Sequence, residues 1–271
     1  MLYKIFYSIL MGVSPWVASS SLPTILAQGP QVQVLERKAE DVSNYPQKEQ
    51  EAKESVQKWA HSDEDVSRQF DMFCVSLKEG IAKGNLSTAD AEVILGAAVF
   101  AAEKHKSQVR SNAKKTPYII HPIEVADFIV KVGKVYDKKI VIAALLHDLM
   151  DDTGVTYEEI AKLYGQTVSD YVEEMTTKKN ISLKEQKKAQ IMQAFKQTPS
   201  VAIIKLSDKL SNLGTLLNNP PSNWSRDKID QYFQWAQSVI ENLPDSNLLL
   251  KKAVKQLIAD YWAKQAAQKK S

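Results

Sequence analysis

The residues of this chain best placed to do chemistry are His147 and Asp148. They end the mostly apolar run 141–146 and are followed by the carboxylate pair Asp151-Asp152. An aliphatic run of this kind reads as a buried helix. An imidazole and a carboxylate at its inner end are costly to bury unless something compensates them. A divalent cation would do so. Neighbouring helical residues lie roughly 100° apart, from about 3.6 residues per turn, so one ion over the helix edge is within reach of both. Asp151 and Asp152 follow about one turn on, close enough to face water on such an ion. A buried His–Asp hydrogen bond capping a helix would give the same dipeptide, and alone it leaves both readings open.

Two other positions set a polar group in apolar surroundings. His121 precedes Pro122, which suits a first helical turn, with Val125, Phe128, Ile129 and Val132 forming the inner face. Taken singly, His121 reads as a capping histidine as readily as a ligand. Asp208 interrupts Ile203, Ile204, Leu206 and Leu210, where a carboxylate needs a partner. A lysine would serve, but a metal shared with the histidines explains it better. His121, His147, Asp148 and Asp208 together make a nitrogen–oxygen set on three helical segments. It suits one divalent ion such as Mn²⁺, with positions left for water or phosphate oxygen. The absence of thiolates argues against a structural zinc site. Such an ion would lower the pKa of bound water and neutralise charge on a phosphoryl group.

The elements that must position these residues are helical. The chain has 271 residues, 44% hydrophobic, with only 9 Gly and 10 Pro, which favours an all-α fold with a sizeable core. A net charge of +3, from 35 basic and 32 acidic residues, is near balance. No Arg-rich stripe or zinc-finger spacing suggests a nucleic-acid partner. Cys74 is the single cysteine and reads as a small core residue.

Lys4, the apolar run 5–13 and the small residues up to Ala27 have the pattern of a secretory signal peptide over 1–27. That pattern predicts export to the periplasm or the outside, with no stable membrane insertion after cleavage; a leader that does not function would leave the chain in the cytoplasm. Residues 28–85 read as linker and helical extension, and 86–265 as the main domain. Within the extension, 28–60 is Gln-, Glu- and Lys-rich, a linker becoming a solvated helix anchored by Trp59. Ser62 with Asp65 marks the start of the next helix, which carries Val66, Phe70, Phe73, Cys74, Leu77 and Ile81 until Gly84-Asn85 breaks it. Ser87 with Asp90 opens another, and a basic loop containing Arg110 leads to His121. Residues 155–163 and 168–175 read as two short helices divided at Tyr164-Gly165, and 178–188 as a lysine-rich solvated loop and helix start. Apolar spacing places further helices over 201–217, from Trp224 to 240, and over 248–262.

With these words in order, the chain resembles the HD superfamily of metal-dependent phosphohydrolases. Within it, the resemblance is to the RelA/SpoT-type (p)ppGpp hydrolases of the small stand-alone Mesh type. It rests on TPYIIHPIEVA (116–126), AALLHDLMDDTGVTYEEI (143–160), YG with VEEMT (164–176), IIKLSDKLSNLGTL (203–216) and WSRDKIDQYFQWAQSVI (224–240). It runs from about Ala91 to Ile258 and does not reach residues 1–85.

The resemblance implies an all-α HD-domain bundle of about ten helices, behind the N-terminal helical extension, that removes pyrophosphate from the 3′ position of ppGpp. It implies His121, His147, Asp148 and Asp208 as metal ligands. Asp151 and Asp152 fall on the pair that orients or activates water. Arg110 falls on the arginine that packs against the base, and Asn212 and Thr215 on pocket residues. The partner implied is a small nucleotide. Three departures stand out: Asp151 replaces a family Glu, Ser211 an aromatic or histidine, and Gly214 an arginine. The leader is also foreign to a family whose usual substrate is intracellular. A relative acting on the 2′-phosphate of NADPH or another nucleotide, and a non-catalytic nucleotide-binding module, are the alternative readings.

Overall fold

The computed structural model describes residues 44–176 and 181–268. The leader pattern at 1–27, the linker up to residue 43 and the lysines at 178 and 179 lie outside the described residues. The fold is all-α as expected, with twelve α-helices and one short 3₁₀ turn among the described residues. In chain order these are α1 Tyr45–Trp59, α2 Glu64–Ala82, α3 Thr88–Lys104, α4 Ile120–Lys131, α5 Lys138–Leu146 and α6 Leu149–Asp152. They continue with α7 Tyr157–Tyr164, α8 Gln166–Met175, α9 Leu183–Gln193, α10 Pro199–Asn218, α11 Arg226–Asn242 and α12 Leu248–Gln268.

The helix starts follow local chemistry. Ser87 Oγ accepts the amide of Asp90, and Thr156 and Thr198 cap α7 and α10 in the same way. The start expected at Ser62 falls one residue later. Ser62 sits at φ 58°, and Asp63 caps α2 by accepting from the amides of Asp65 and Val66. A carboxylate at an N-cap also meets the positive end of the helix dipole, which a serine does not. Gly165, at φ 90°, makes the break between α7 and α8; a side chain there would be strained.

The residues after 44 do not run as a solvated helix. Tyr45, Ala52 and Val56 of α1 are buried, and α1 lies along α3. Trp59 is only partly buried, with the ammonium groups of Lys58 and Lys106 about 5 Å from its ring. Helix α2 packs on α4 through Val66, Phe70, Phe73 and Leu77, all buried. Each such side chain contributes roughly 1.5–3 kcal/mol. The two N-terminal helices therefore share the core cluster of the helices that follow.

At the centre, α4 is flanked by α2, α5 and α10, and α5 also packs on α3 and α8. Helices α4 and α5 are buried on almost every side, so polar groups presented from their ends face protein rather than water.

Candidate metal centre and nucleotide pocket

The run 141–154 is not one continuous helix. Helix α5 ends at Leu146, His147 and Asp148 form a turn, and α6 is a single short turn after it. The ring supplies a reason: His147 Nδ1 donates to the carbonyl of Ala144 at 2.8 Å, the carbonyl a continuing helix would offer to the amide of Asp148. Asp148 is thereby turned inward, next to its neighbour's imidazole.

His121, second residue of α4, faces this turn, and its ring centroid lies 5.2 Å from that of His147. Asp208 arrives from the middle of α10. One ligand atom each from His121, His147 and Asp208 lies within 4.8 Å of the others. Asp148 Oδ2 borders this cluster, 3.1 Å from His147 Nε2 and 3.7 Å from His121 Nε2. His121 Nε2 is 3.3 Å from Asp208 Oδ1. The structure thus brings together all four residues expected as ligands.

The donor chemistry fits a cation. The carboxylate of Glu124 can only accept, so Ser211 Oγ donates to it at 2.6 Å and takes the Nδ1–H of His121 at 2.8 Å. Both rings then carry hydrogen on Nδ1, and both Nε2 lone pairs face carboxylate oxygens. His147 Nε2, inside protein, makes no hydrogen bond. Lone pairs facing anions in a buried site require positive charge between them. When no metal is bound, a proton takes that part. Burial would lower the pKa of His147, but the Asp148 carboxylate, backed by Asp208, overrides it and pushes it up to about 9. Burial, reinforced by the Arg110 guanidinium, pushes His121 down to about 4. Burial works against the ionised Asp148, but His147 and His121 hold its carboxyl below the usual range.

Asp208 has the lysine partner that the sequence allowed, and it also faces the histidines. Its Oδ2 meets the ammonium of the buried Lys209 at 2.8 Å, while Oδ1 turns to His121. Lys209, through its ion pair, and His121 hold Asp208 well below the ordinary carboxylate range, against the cost of burial.

The residues expected to bind nucleotide are linked to the same cluster. Arg110 Nη2 donates to Asn212 Oδ1 at 2.6 Å, and Asn212 Nδ2 donates to Asp208 Oδ1 at 2.5 Å. The Arg110 loop is closed by backbone bonds from Arg110 to Thr116 and from Tyr118 to Gln108. Thr215 and Arg110 line a cavity of about 460 Å³ between the Arg110 loop, α2, α4 and α10. Asp151 is partly buried in α6, one turn beyond Asp148, and Asp152 is exposed. Neither carboxylate belongs to the ligand-atom cluster.

Several participants were not expected from the sequence. Tyr118, inside the word TPYIIHP, donates its hydroxyl to Asp148 Oδ2 at 2.7 Å, and its ring packs 4.7 Å from that of buried His105. Gln108 bonds His105 and the carbonyl of Asp152, tying the Arg110 loop to α6. Ser211, marked in the sequence only as a departure from the family pattern, is hydrogen-bonded to His121.

Residues 97–234 match the family model described as HD domain, so the fold and the histidine–aspartate centre define an HD-domain protein. The chain is 41% identical over 173 residues to the guanosine-3′,5′-bis(diphosphate) 3′-pyrophosphohydrolase MESH1 of Xenopus tropicalis, covering 64% of this chain and 97% of that one. The Homo sapiens MESH1 is 39% identical, covering 62% and 94%. A solved structure of a metazoan ortholog of SpoT that hydrolyses ppGpp superposes with a TM-score of 0.61 at 35% identity, covering 62% of this chain and 95% of that one. The chain belongs to the HD family and, within it, to the group that includes the MESH1 proteins.

This membership corrects the expectation of export. The relatives that match the folded part are MESH1 ppGpp hydrolases, and nothing in that likeness supports a signal peptide. A basic residue before a short apolar run is a compositional pattern that many chain starts satisfy, and it gave the leader reading no structural support. Among the described residues, no helix is long and apolar enough to cross a membrane.

Proposed function

We propose that this protein hydrolyses guanosine 3′,5′-bis(diphosphate) to GDP and pyrophosphate with one divalent ion, Mn²⁺ being the ion its donors suit. The observation that carries the reading is the pair of Nε2 lone pairs converging with Asp148 and Asp208, which Asn212 links to Arg110 through two hydrogen bonds. It is supported by the identity to MESH1 hydrolases along nearly their whole length.

His121, His147, Asp148 and Asp208 would hold the ion, whose charge would offset that of the 3′-diphosphate and favour ionisation of water. Arg110, braced by Asn212 and lying 5.5 Å from the Tyr118 ring, presents its guanidinium to the nucleotide. Tyr118 holds Asp148 in orientation. Asp151 takes the proton of the attacking water, and Asp152 supports it. Water adds to the phosphorus on O3′, the O3′–P bond breaks, and O3′ leaves as a hydroxyl with the proton that Asp151 took from the water. Pyrophosphate carries away the incoming oxygen.

The test is turnover of ppGpp by the full chain with Mn²⁺ and with EDTA. The expected result is GDP and pyrophosphate only with metal, lost in Asp148→Ala. A Mn²⁺-loaded chain that leaves ppGpp intact, while releasing phosphate from NADPH in a parallel assay, would reassign the substrate.

A further inference from the structure

The geometry points to Ser211 and Glu124 as positioning residues that lock the ligand His121 in one tautomer and one orientation. This rests on the reading of His121 as a metal ligand. Ser211 comes from α10 and is 2% exposed. Glu124 lies one helical turn after His121 on α4. The hydroxyl spans the gap between the helices, 2.8 Å from the ring nitrogen and 2.6 Å from the carboxylate oxygen. Since the carboxylate accepts, the order of donation runs from ring to hydroxyl to carboxylate. Each bond in that order strengthens the next. The acceptor behind the ring also makes Nε2 a better electron-pair donor, as outer partners of ligating histidines do.

The other histidine ligand reaches the same tautomer by a different route. His147 Nδ1 bonds the Ala144 carbonyl, a backbone group that no substitution removes. His121 depends on two side chains from two helices. It is therefore the ligand whose grip on a metal can be loosened without altering any ligand. Ser211 and Glu124 also form part of the cavity wall beside Arg110, so the relay joins the nucleotide pocket to the metal centre.

The experiment is calorimetric titration of the metal-stripped full chain with Mn²⁺, in the parent and in Ser211→Ala, Glu124→Gln, Ser211→Thr and His121→Ala. Loss of the relay weakens Mn²⁺ binding by about 10–100-fold in Ser211→Ala, and by roughly 10-fold in the isosteric Glu124→Gln. Ser211→Thr, which keeps the hydroxyl, stays within about 3-fold of the parent. Melting curves without metal check that each variant is folded. Long-range ¹H–¹⁵N spectra of the metal-free chain show His121 protonated on Nδ1 in the parent, and a tautomer mixture in Ser211→Ala.

Affinities within twofold of the parent for both Ser211→Ala and Glu124→Gln, alongside lost binding in His121→Ala, overturn the relay and leave the metal centre standing. Parent-like binding by His121→Ala overturns the relay and the ligand assignment together.

Discussion

The candidate metal centre and the seam between α2 and α4 both bury polar groups, but they differ in how much apolar packing surrounds them. At the centre, two histidines, two aspartates and Lys209 crowd together, and each relies on the charge of another. In the seam, Asp127 has no exposed surface and accepts hydrogen bonds from Ser76 Oγ at 2.5 Å and Gln69 Nε2 at 3.3 Å. Apolar Phe70, Phe73 and Leu77 fill the rest. The centre is stable only under conditions, because its compensation comes from protons or a bound cation. The seam draws most of its stability from the packing of Phe70, Phe73 and Leu77, which needs neither a proton nor a bound ion. The fold thus keeps its switchable electrostatics at one place and its bulk stability at another.

Removing Asp208 is the largest expected break in this division. Asp208→Ala should lower kcat/KM for ppGpp by on the order of 10³-fold or more, about 4 kcal/mol of transition-state stabilisation. It should also lower the stability of the metal-free chain by about 3–5 kcal/mol, because Lys209 is left buried without its carboxylate. Asp208→Asn separates the effects, keeping the shape and most of the fold while losing activity. Steady-state turnover and urea titration measure the two. Turnover within tenfold of the parent would mean that the chemistry sits elsewhere.

The complementary change is Phe70→Ala in α2. It should cost about 3–5 kcal/mol of stability through cavity formation, with Mn²⁺ affinity of the folded chain unaltered. If affinity falls in step with stability, the two regions are not independent and the comparison fails.

How far each region could be read from the sequence follows from the same contrast. His121, His147, Asp148 and Asp208 stood out because each sets an ionisable group in an apolar run, an expensive choice visible in one dimension. Nothing in one dimension paired Ser211 with Glu124 and His121, since that contact exists only because α10 crosses α4 ninety residues away. Tyr118 was hidden for a related reason: its hydroxyl is defined by the turn at Asp148, which the aliphatic run did not foretell. In the N-terminal part, α2 was legible from its regular apolar spacing, whereas α1 was read as solvated. Tyr45, Ala52 and Val56 are too sparse to register as a stripe among the Gln, Glu and Lys residues between them.

Removing the metal sharpens the contrast through pH. His147, raised from 6.5 to about 9, adds stability that is fully present below about 6.5 and lost as pH climbs through 9. His121, lowered to about 4, is held neutral in the fold, so stability falls as pH drops from 6.5 towards 4. The metal-free chain should therefore melt highest near pH 6.5, with Tm lower by roughly 5 °C at pH 9 and at pH 4.5. Saturating Mn²⁺ should flatten the alkaline side, because the ion then supplies the positive charge that the His147 proton gave. Melting curves across this range, with and without Mn²⁺, decide it. An alkaline limb of equal slope in both would show that His147 does not face the ion.

The smallest effect tests the border of the two regions. Gly214 sits inside the 20-residue helix α10 and on the cavity wall, and a Cβ built there meets nothing within 4 Å. Glycine at such a helical position is less favourable than alanine by about 1 kcal/mol, and part of that difference lies in the freedom of the unfolded chain. Gly214→Ala should therefore raise stability by about 0.4–1 kcal/mol. One methyl group in a cavity of about 460 Å³ should leave KM for ppGpp within a factor of two. The urea midpoint and the KM are read on the same preparation. A stabilised variant with normal KM marks Gly214 as a tolerated cost of helix formation. A stabilised variant with KM raised tenfold would mean that the nucleotide lies against the α10 backbone at this point, and that the open wall facing α2 belongs to the substrate site.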